Sequence, residues 1–198
     1  MSNYENMSME QVTKMASQGD HEAQYEVAYR CMSSGDYQNA INCFKKIVDD
    51  PNHPRNINAI NFLAEIYAAN GSPYTNKKEA IRLYESIMNM PRSIIGRLNL
   101  GLLYCEEGRI HEGLPLFEGS INKIIEMDGN DNYLSQILCY KIAVAYEGAQ
   151  HFTKSTNYYN KAIDRSDTSY ESDRQLVSKA REGIADNERR KAMLGDSG

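Results

Sequence analysis

Apolar positions along this chain recur at the three- and four-residue spacing of amphipathic helices, not at the alternation of strands. Ala23, Val27, Ala28 and Cys31 form one such stripe. It breaks at the polar turn S-S-G-D and resumes with Tyr37, Ala40, Ile41, Phe44 and Ile47. That is the pattern of two short helices folded back on each other, and it returns. Four segments carry a branched apolar residue, then a small one, then an aromatic residue or cysteine: Val27-Ala28-x-x-Cys31, Leu63-Ala64-x-x-Tyr67, Leu100-Gly101-x-x-Tyr104 and Ile142-Ala143-x-x-Tyr146. Each is followed by a second apolar stretch holding an aromatic residue, Phe44, Tyr84, Phe117 or Tyr159. Each therefore predicts a helix hairpin.

The steps from small residue to downstream aromatic are 16, 20, 16 and 16. The outlier has a visible cause, the extra loop residues in G-S-P-Y-T-N-K-K, Gly71 to Lys78. The hairpins restart after 36, 37 and 42 residues. Pro51, Pro54 and Pro91 lie in the first two connectors, where a missing backbone donor stops a helix cleanly. The spacing thus predicts hairpins over 21–50, 57–90, 94–125 and 136–165 within one domain spanning 1–198. Ser8-x-x-Gln11 reads as a capping box opening a leading helix over 9–18. Ser172-x-x-Gln175 reads as the cap of a closing helix and tail over 170–194, with Leu176, Ala180 and Ile184 on one stripe.

The third hairpin carries four glycines and a proline between Leu98 and Ser120. Gly101 stands where the other hairpins have Ala28, Ala64 and Ala143, which predicts close approach of two helices. Gly108 matches the turn residue Gly35, while Gly113 and Pro115 predict a second helix that starts late or kinks.

These features resemble tetratricopeptide repeats and, in part, their Sel-one-like subclass. The stretch A-S-Q-G-D-H-E-A-Q-Y-E-V-A, Ala16 to Ala28, is similar to the junction between Sel-one-like repeats. The thirteen-residue step from Tyr67 to Ala80 fits that subclass, and the nine-residue step from Cys31 to Ala40 fits the tetratricopeptide form. Cys31 replaces an aromatic residue, and Gly113 and Ser155 stand where alanine is expected. The resemblance implies an all-α solenoid of antiparallel helix-turn-helix repeats in a right-handed superhelix. It also implies that the first helix of each hairpin lines a concave groove that binds protein partners.

On that basis the groove positions are Tyr25, Tyr29 and Met32 in the first hairpin, and Asn61 and Glu65 in the second, with Ala68 beyond them. In the third they are Leu98, Leu102 and Cys105, and in the fourth Tyr140, Val144 and Glu147. This set is more apolar and aromatic than a solvated face needs to be, as expected of a partner-binding surface. Tyr25, Tyr29, Leu102 and Tyr140 are the expected anchors. The alternatives are that superhelical curvature or the closing helix covers these residues, or that the apolar face forms a homodimer. None of the positions is Lys or Arg, so the carboxylate clamp that the resemblance associates with chaperone docking is absent.

Composition narrows the remaining chemistry. A formal net charge of −5 disfavours nucleic acid, and no apolar run reaches membrane-spanning length. Four scattered cysteines without a C-x-x-C pair, and an N-terminus without a signal-peptide pattern, point to a reducing cytoplasm. His21, His53, His111 and His151 fall in or beside polar turns, and no two have zinc-ligand spacing, so solvated turn histidines are expected. Asp128-Gly129-Asn130-Asp131 lacks the alternating ligands of a calcium loop and reads as a tight turn. No catalytic motif stands out. The expectation is a non-catalytic adaptor without metal or cofactor.

Overall fold

The structure, a computed structural model, describes Tyr4, residues 6–128 and residues 134–194. Within them lie ten helices and no strand. They are α1 (Met9–Ser17), α2 (His21–Ser33), α3 (Tyr37–Val48), α4 (Asn56–Ala68), α5 (Lys77–Ile87), α6 (Ile94–Glu106), α7 (Ile110–Asp128), α8 (Gln136–Gly148), α9 (Phe152–Asp164) and α10 (Glu171–Leu194). The turn Gly129-Asn130-Asp131, expected between the third and fourth hairpins, lies outside the described residues. Among the described residues no helix is long and apolar enough to cross a membrane.

Local chemistry explains the helix starts. Gln11 N–H donates to Ser8 Oγ at 3.2 Å while Ser8 N–H donates to Gln11 Oε1 at 2.8 Å, the reciprocal capping box expected from the sequence. Asp20, Asp36, Asn76 and Ser135 cap α2, α3, α5 and α8 through single side-chain acceptors. The hairpin turns need a left-handed residue. Gly35 and Gly108 supply it at φ 82° and 79°, but in the fourth hairpin Gln150 takes the same place at φ 61°.

The chain divides into two compact units, Met1–Arg97 and Leu98–Gly198. In the N-terminal unit Phe44, Tyr84, Ile87 and Val12 are fully buried, and α1 to α5 pack each on the next. Arg55, at the start of α4, donates to both carboxylate oxygens of Glu22 on α2. Both side chains are over 40% exposed, so the pair contributes less than about 1 kcal/mol. Asn56 Nδ2 reaches the carbonyls of Ile47, Val48 and Asp50, closing the end of α3 against the start of α4.

In the C-terminal unit Gly101 of α6 faces Gly113 of α7. A methyl at Gly101 would lie 2.6 Å from Phe117 N and 2.7 Å from Gly113 O, and one at Gly113 would meet Cys105 Sγ at 2.6 Å. Gly113 is thus the second half of the close approach expected at Gly101. The α7 helix does not start late: Gly113 N–H already bonds Arg109 O at 2.9 Å, and the helix runs on through Pro115. Ser155, out of pattern in the sequence, also has a role. Its hydroxyl donates to Ala143 O on α8 at 2.8 Å and accepts from Asn187 Nδ2 on α10 at 2.9 Å. One buried polar chain therefore ties three helices.

At α10 two expectations need correcting. The helix begins at Glu171, so Ser172 lies inside it and is not its cap. Instead Arg174 holds the carbonyls of Thr168 and Ser169, and Asp173 accepts from Asp167 N–H. The buried stripe is Val177, Ala180 and Asn187, with Leu176 and Ile184 only half-buried at its edges.

Candidate partner-binding cleft

Helical spacing sets Tyr25, Tyr29 and Met32 along one side of α2. Tyr25 is half-buried, 6.2 Å from both the Phe44 and Phe62 rings, with the Arg55 guanidinium 5.5 Å above it; burial raises its phenol pKa. Tyr29 is 43% exposed, and its ring lies 5.7 Å from Phe62 of α4. Phe62 in turn stacks on Phe44 at 5.7 Å. The row of rings begins in the core and ends in solvent.

At its exposed end lies a cleft of about 640 Å³ lined by Tyr29, Met32, Tyr37, Phe62, Glu65 and Ile66, and by Ala69 to Ser72 of the loop between α4 and α5. That loop is tied down. Asn76 N–H donates to Tyr67 O at 2.8 Å, Thr75 Oγ1 donates to Ser72 O at 2.7 Å, and Tyr74 packs its ring 6.3 Å from Tyr37. The extra residues of the second hairpin therefore form a wall. Three aromatic rings, a thioether and one carboxylate suit recognition of a ligand side chain.

The structure gathers Tyr29, Met32 and Glu65 at this cleft, with Tyr25 behind them. It leaves out Asn61, whose Oδ1 is buried without a hydrogen-bond partner among the described residues and packs on Gly96, where a methyl would come within 2.7 Å of it. Phe62, Tyr37 and Ile66 were missed by the sequence reading. Tyr37, expected on the apolar stripe of the second helix, is 42% exposed. The signals present were the long loop and the aromatic pair Tyr37 and Tyr74, which periodicity alone does not bring together.

The C-terminal unit presents a different face. Leu98, Leu102 and Cys105 are buried, at 0%, 3% and 8% exposure, and do not line an open groove. The α6 segment Leu98–Cys105 is apolar on nearly every side, with Leu100, Leu103 and Tyr104 also buried, and such a helix belongs in a core. Burial pushes the Cys105 thiol up to about 11. On α8, Tyr140 packs 5.6 Å from the Tyr159 ring, and Glu147 accepts from Tyr159 Oη at 2.8 Å. Arg190 of α10 reaches Glu147 at 3.6 Å, so the closing helix engages this face. Val144 stays 40% exposed.

The histidines divide as well. His21, His111 and His151 are exposed, but His53 is 5% exposed and its ring lies 4.6 Å from that of His21. Its Nδ1 accepts from Arg55 N–H at 3.0 Å and its Nε2 faces Gln24 Oε1 at 3.3 Å, an arrangement that suits the neutral ring. Burial and the nearby His21 lower its pKa. His53 is therefore a structural residue of the repeat junction, not a solvated turn residue. Among the described residues no group of three His, Cys, Asp or Glu side chains is placed to hold a metal ion.

The helix pairs and their spacing define an all-α array of tetratricopeptide-type repeats. Residues 137–168, covering α8 and α9, match the tetratricopeptide repeat profile. Three solved structures share the fold. BtubC (BKLC) from P. vanneervenii is 12% identical with a TM-score of 0.55, over 96% of this chain and 89% of that one. A putative kinesin light chain with nearly identical TPR-like repeats from Podosopora anserina is 17% identical with a TM-score of 0.53, over 88% and 91%. MamA from AMB-1 is 15% identical with a TM-score of 0.52, over 84% and 90%. No curated protein sequence matches the chain significantly.

Proposed function

We propose that this protein is a non-catalytic interaction module whose N-terminal unit takes up a segment of a partner protein in the cleft between α2 and α4. The observation that carries the reading is the set of Tyr29, Tyr37 and Phe62 rings around an open volume of about 640 Å³. Exposed aromatic rings in a preformed concavity are the usual anchors of protein contacts. The tetratricopeptide-type fold supports an adaptor role, and the long loop of the second hairpin supports a Sel-one-like character for that repeat. The four scattered cysteines without a C-x-x-C pair support a reducing, cytoplasmic setting. Capture of a saturable partner from native lysate, compared between the wild-type chain and a Tyr29→Ala, Tyr37→Ala double variant, tests the reading. Capture should be lost while the helical circular dichroism and Tm are retained. Undiminished capture by the double variant would overturn it.

A second reading, self-association, has its own observation. Ile137 at 55% exposure and Val144 at 40% lie two turns apart on one side of α8 in the C-terminal unit, with Lys141 between them. Light scattering of the wild type and of Val144→Asp decides it: a dimer dissolved by the substitution supports this reading, and a monomer in both rejects it.

A further inference from the structure

Among the described residues the protein places its own cations over aromatic rings in four places. Arg55 lies over Tyr25 at 5.5 Å, Arg109 over Tyr104 at 3.7 Å, Lys154 over Tyr146 at 5.2 Å and Lys161 over Tyr158 at 4.7 Å. At the cleft the pattern stops. Among the described residues no cation sits over Tyr29, Tyr37 or Phe62, although Tyr29 and Tyr37 are among the most exposed rings of the N-terminal unit. The described lining contains no Lys, Arg or His, and its one charged side chain is Glu65, an exposed residue one turn beyond Phe62 on α4.

We propose that the cleft recognises a lysine or arginine side chain presented by the partner's segment. This rests on the reading of the cleft as the partner site and names the chemistry read there. A cation placed over the face of the Tyr29, Tyr37 or Phe62 ring is attracted by the negative side of that ring's quadrupole without a formal ion pair. Glu65 adds a carboxylate at the rim, and Met32 and Ile66 supply apolar surface for the methylene stem of a long basic side chain. An acidic side chain in the same place would be repelled by the Glu65 carboxylate. A purely aliphatic one would fill the volume but draw nothing from Glu65. A basic side chain uses the rings, the Glu65 carboxylate and the apolar surface together.

The test is selection of short displayed random peptides on the full chain, followed by binding of the selected peptides to wild type, Tyr29→Ala and Glu65→Gln. Peptides whose binding is lost in Tyr29→Ala should share a Lys or Arg. Replacing that residue by Gln should weaken binding to the wild type about tenfold, equivalent to about 1.4 kcal/mol. The same replacement should matter less to Glu65→Gln, which keeps the rings but itself binds the basic peptide about threefold more weakly than the wild type does. If Tyr29-dependent peptides show no basic preference, or bind Glu65→Gln as tightly as wild type, recognition of a basic side chain is wrong while the cleft remains a binding site. If no selected peptide depends on Tyr29, the cleft reading itself fails.

Discussion

Tyr29 and Leu102 occupy the same place in their hairpins, each directly after the small residue of the repeat motif, Ala28 or Gly101. Tyr29 is 43% exposed at the rim of a cleft, and Leu102 is 3% exposed within a core. The neighbours account for the contrast. Gly101 and Gly113 let α6 and α7 approach so closely that even a methyl group would collide with backbone, and the apolar α6 is enclosed. In the N-terminal unit a row of rings needs width between helices, and a tethered loop walls the opening without filling it. Equivalent repeat positions therefore do not imply equivalent exposure, and a binding surface read from repeat register alone is too large.

The largest break in this contrast should come from the C-terminal unit. Gly101→Ala forces a methyl against Phe117 N and Gly113 O and should cost about 3 kcal/mol. Leu102→Ala removes a buried side chain at a similar cost of about 3 kcal/mol. Urea unfolding measures both. If Leu102→Ala leaves stability unchanged, its burial has no energetic weight. Asn187→Ala should cost about 1 to 2 kcal/mol in the same measurement, because Ser155 loses its buried donor while keeping its own bond to Ala143 O. Gln150→Gly should raise stability by about 1 kcal/mol, since glycine meets no side-chain penalty at φ 61°. A loss of stability there would show that the Gln150 side chain compensates its backbone.

In the N-terminal unit the effects on stability are smaller. Tyr29→Ala should change the unfolding free energy by less than about 1 kcal/mol, in contrast to Leu102→Ala, while removing partner binding. A stability loss as large as that of Leu102→Ala would make Tyr29 a core residue. The smallest effect concerns pH. His53 has a lowered pKa in the folded chain, so on acidification the unfolded state takes up the proton first. Its contribution is fully present above about pH 6.5 and falls as pH drops below that value. His21 and Arg55 oppose the charge on His53, whereas Asp50 and Glu22 favour it. Unfolding measured on either side of this window, for wild type and His53→Gln, should show a steeper acid loss in the wild type. Parallel curves would remove His53 from the account.

The helices, the Ser8 cap and the turns at Gly35 and Gly108 were legible because they depend on neighbours a few residues away. Ser8 and Gln11 meet across one helical turn, and Gly35 and Gly108 recur where a left-handed residue reverses the chain. The spacing of Ala28, Ala64, Gly101 and Ala143 exposed the repeat before any contact was known. The position of Gly101 also announced close packing, although Gly113 across from it looked like a fault until the two helices were seen together. The candidate site was only partly legible. Tyr29, Met32 and Glu65 follow from helix register, but Phe62 and Tyr37 join them through contacts between helices, and Tyr74 arrives on a loop.

What the sequence determined by itself was the alternation of short amphipathic helices and turns, since apolar periodicity, caps and positive-φ residues act within a few residues of chain. Only the tertiary structure decided which copies of the repeat motif are open. It buried Leu98, Leu102 and Cys105, set Arg190 of α10 against Glu147, and drew His53 out of solvent. Exposure is a property of everything packed around a side chain, and most of those neighbours lie far away in sequence. Gly101 and Gly113 of the third hairpin were the nearest thing to a warning. They marked where helices approach closely enough to leave no room for a groove.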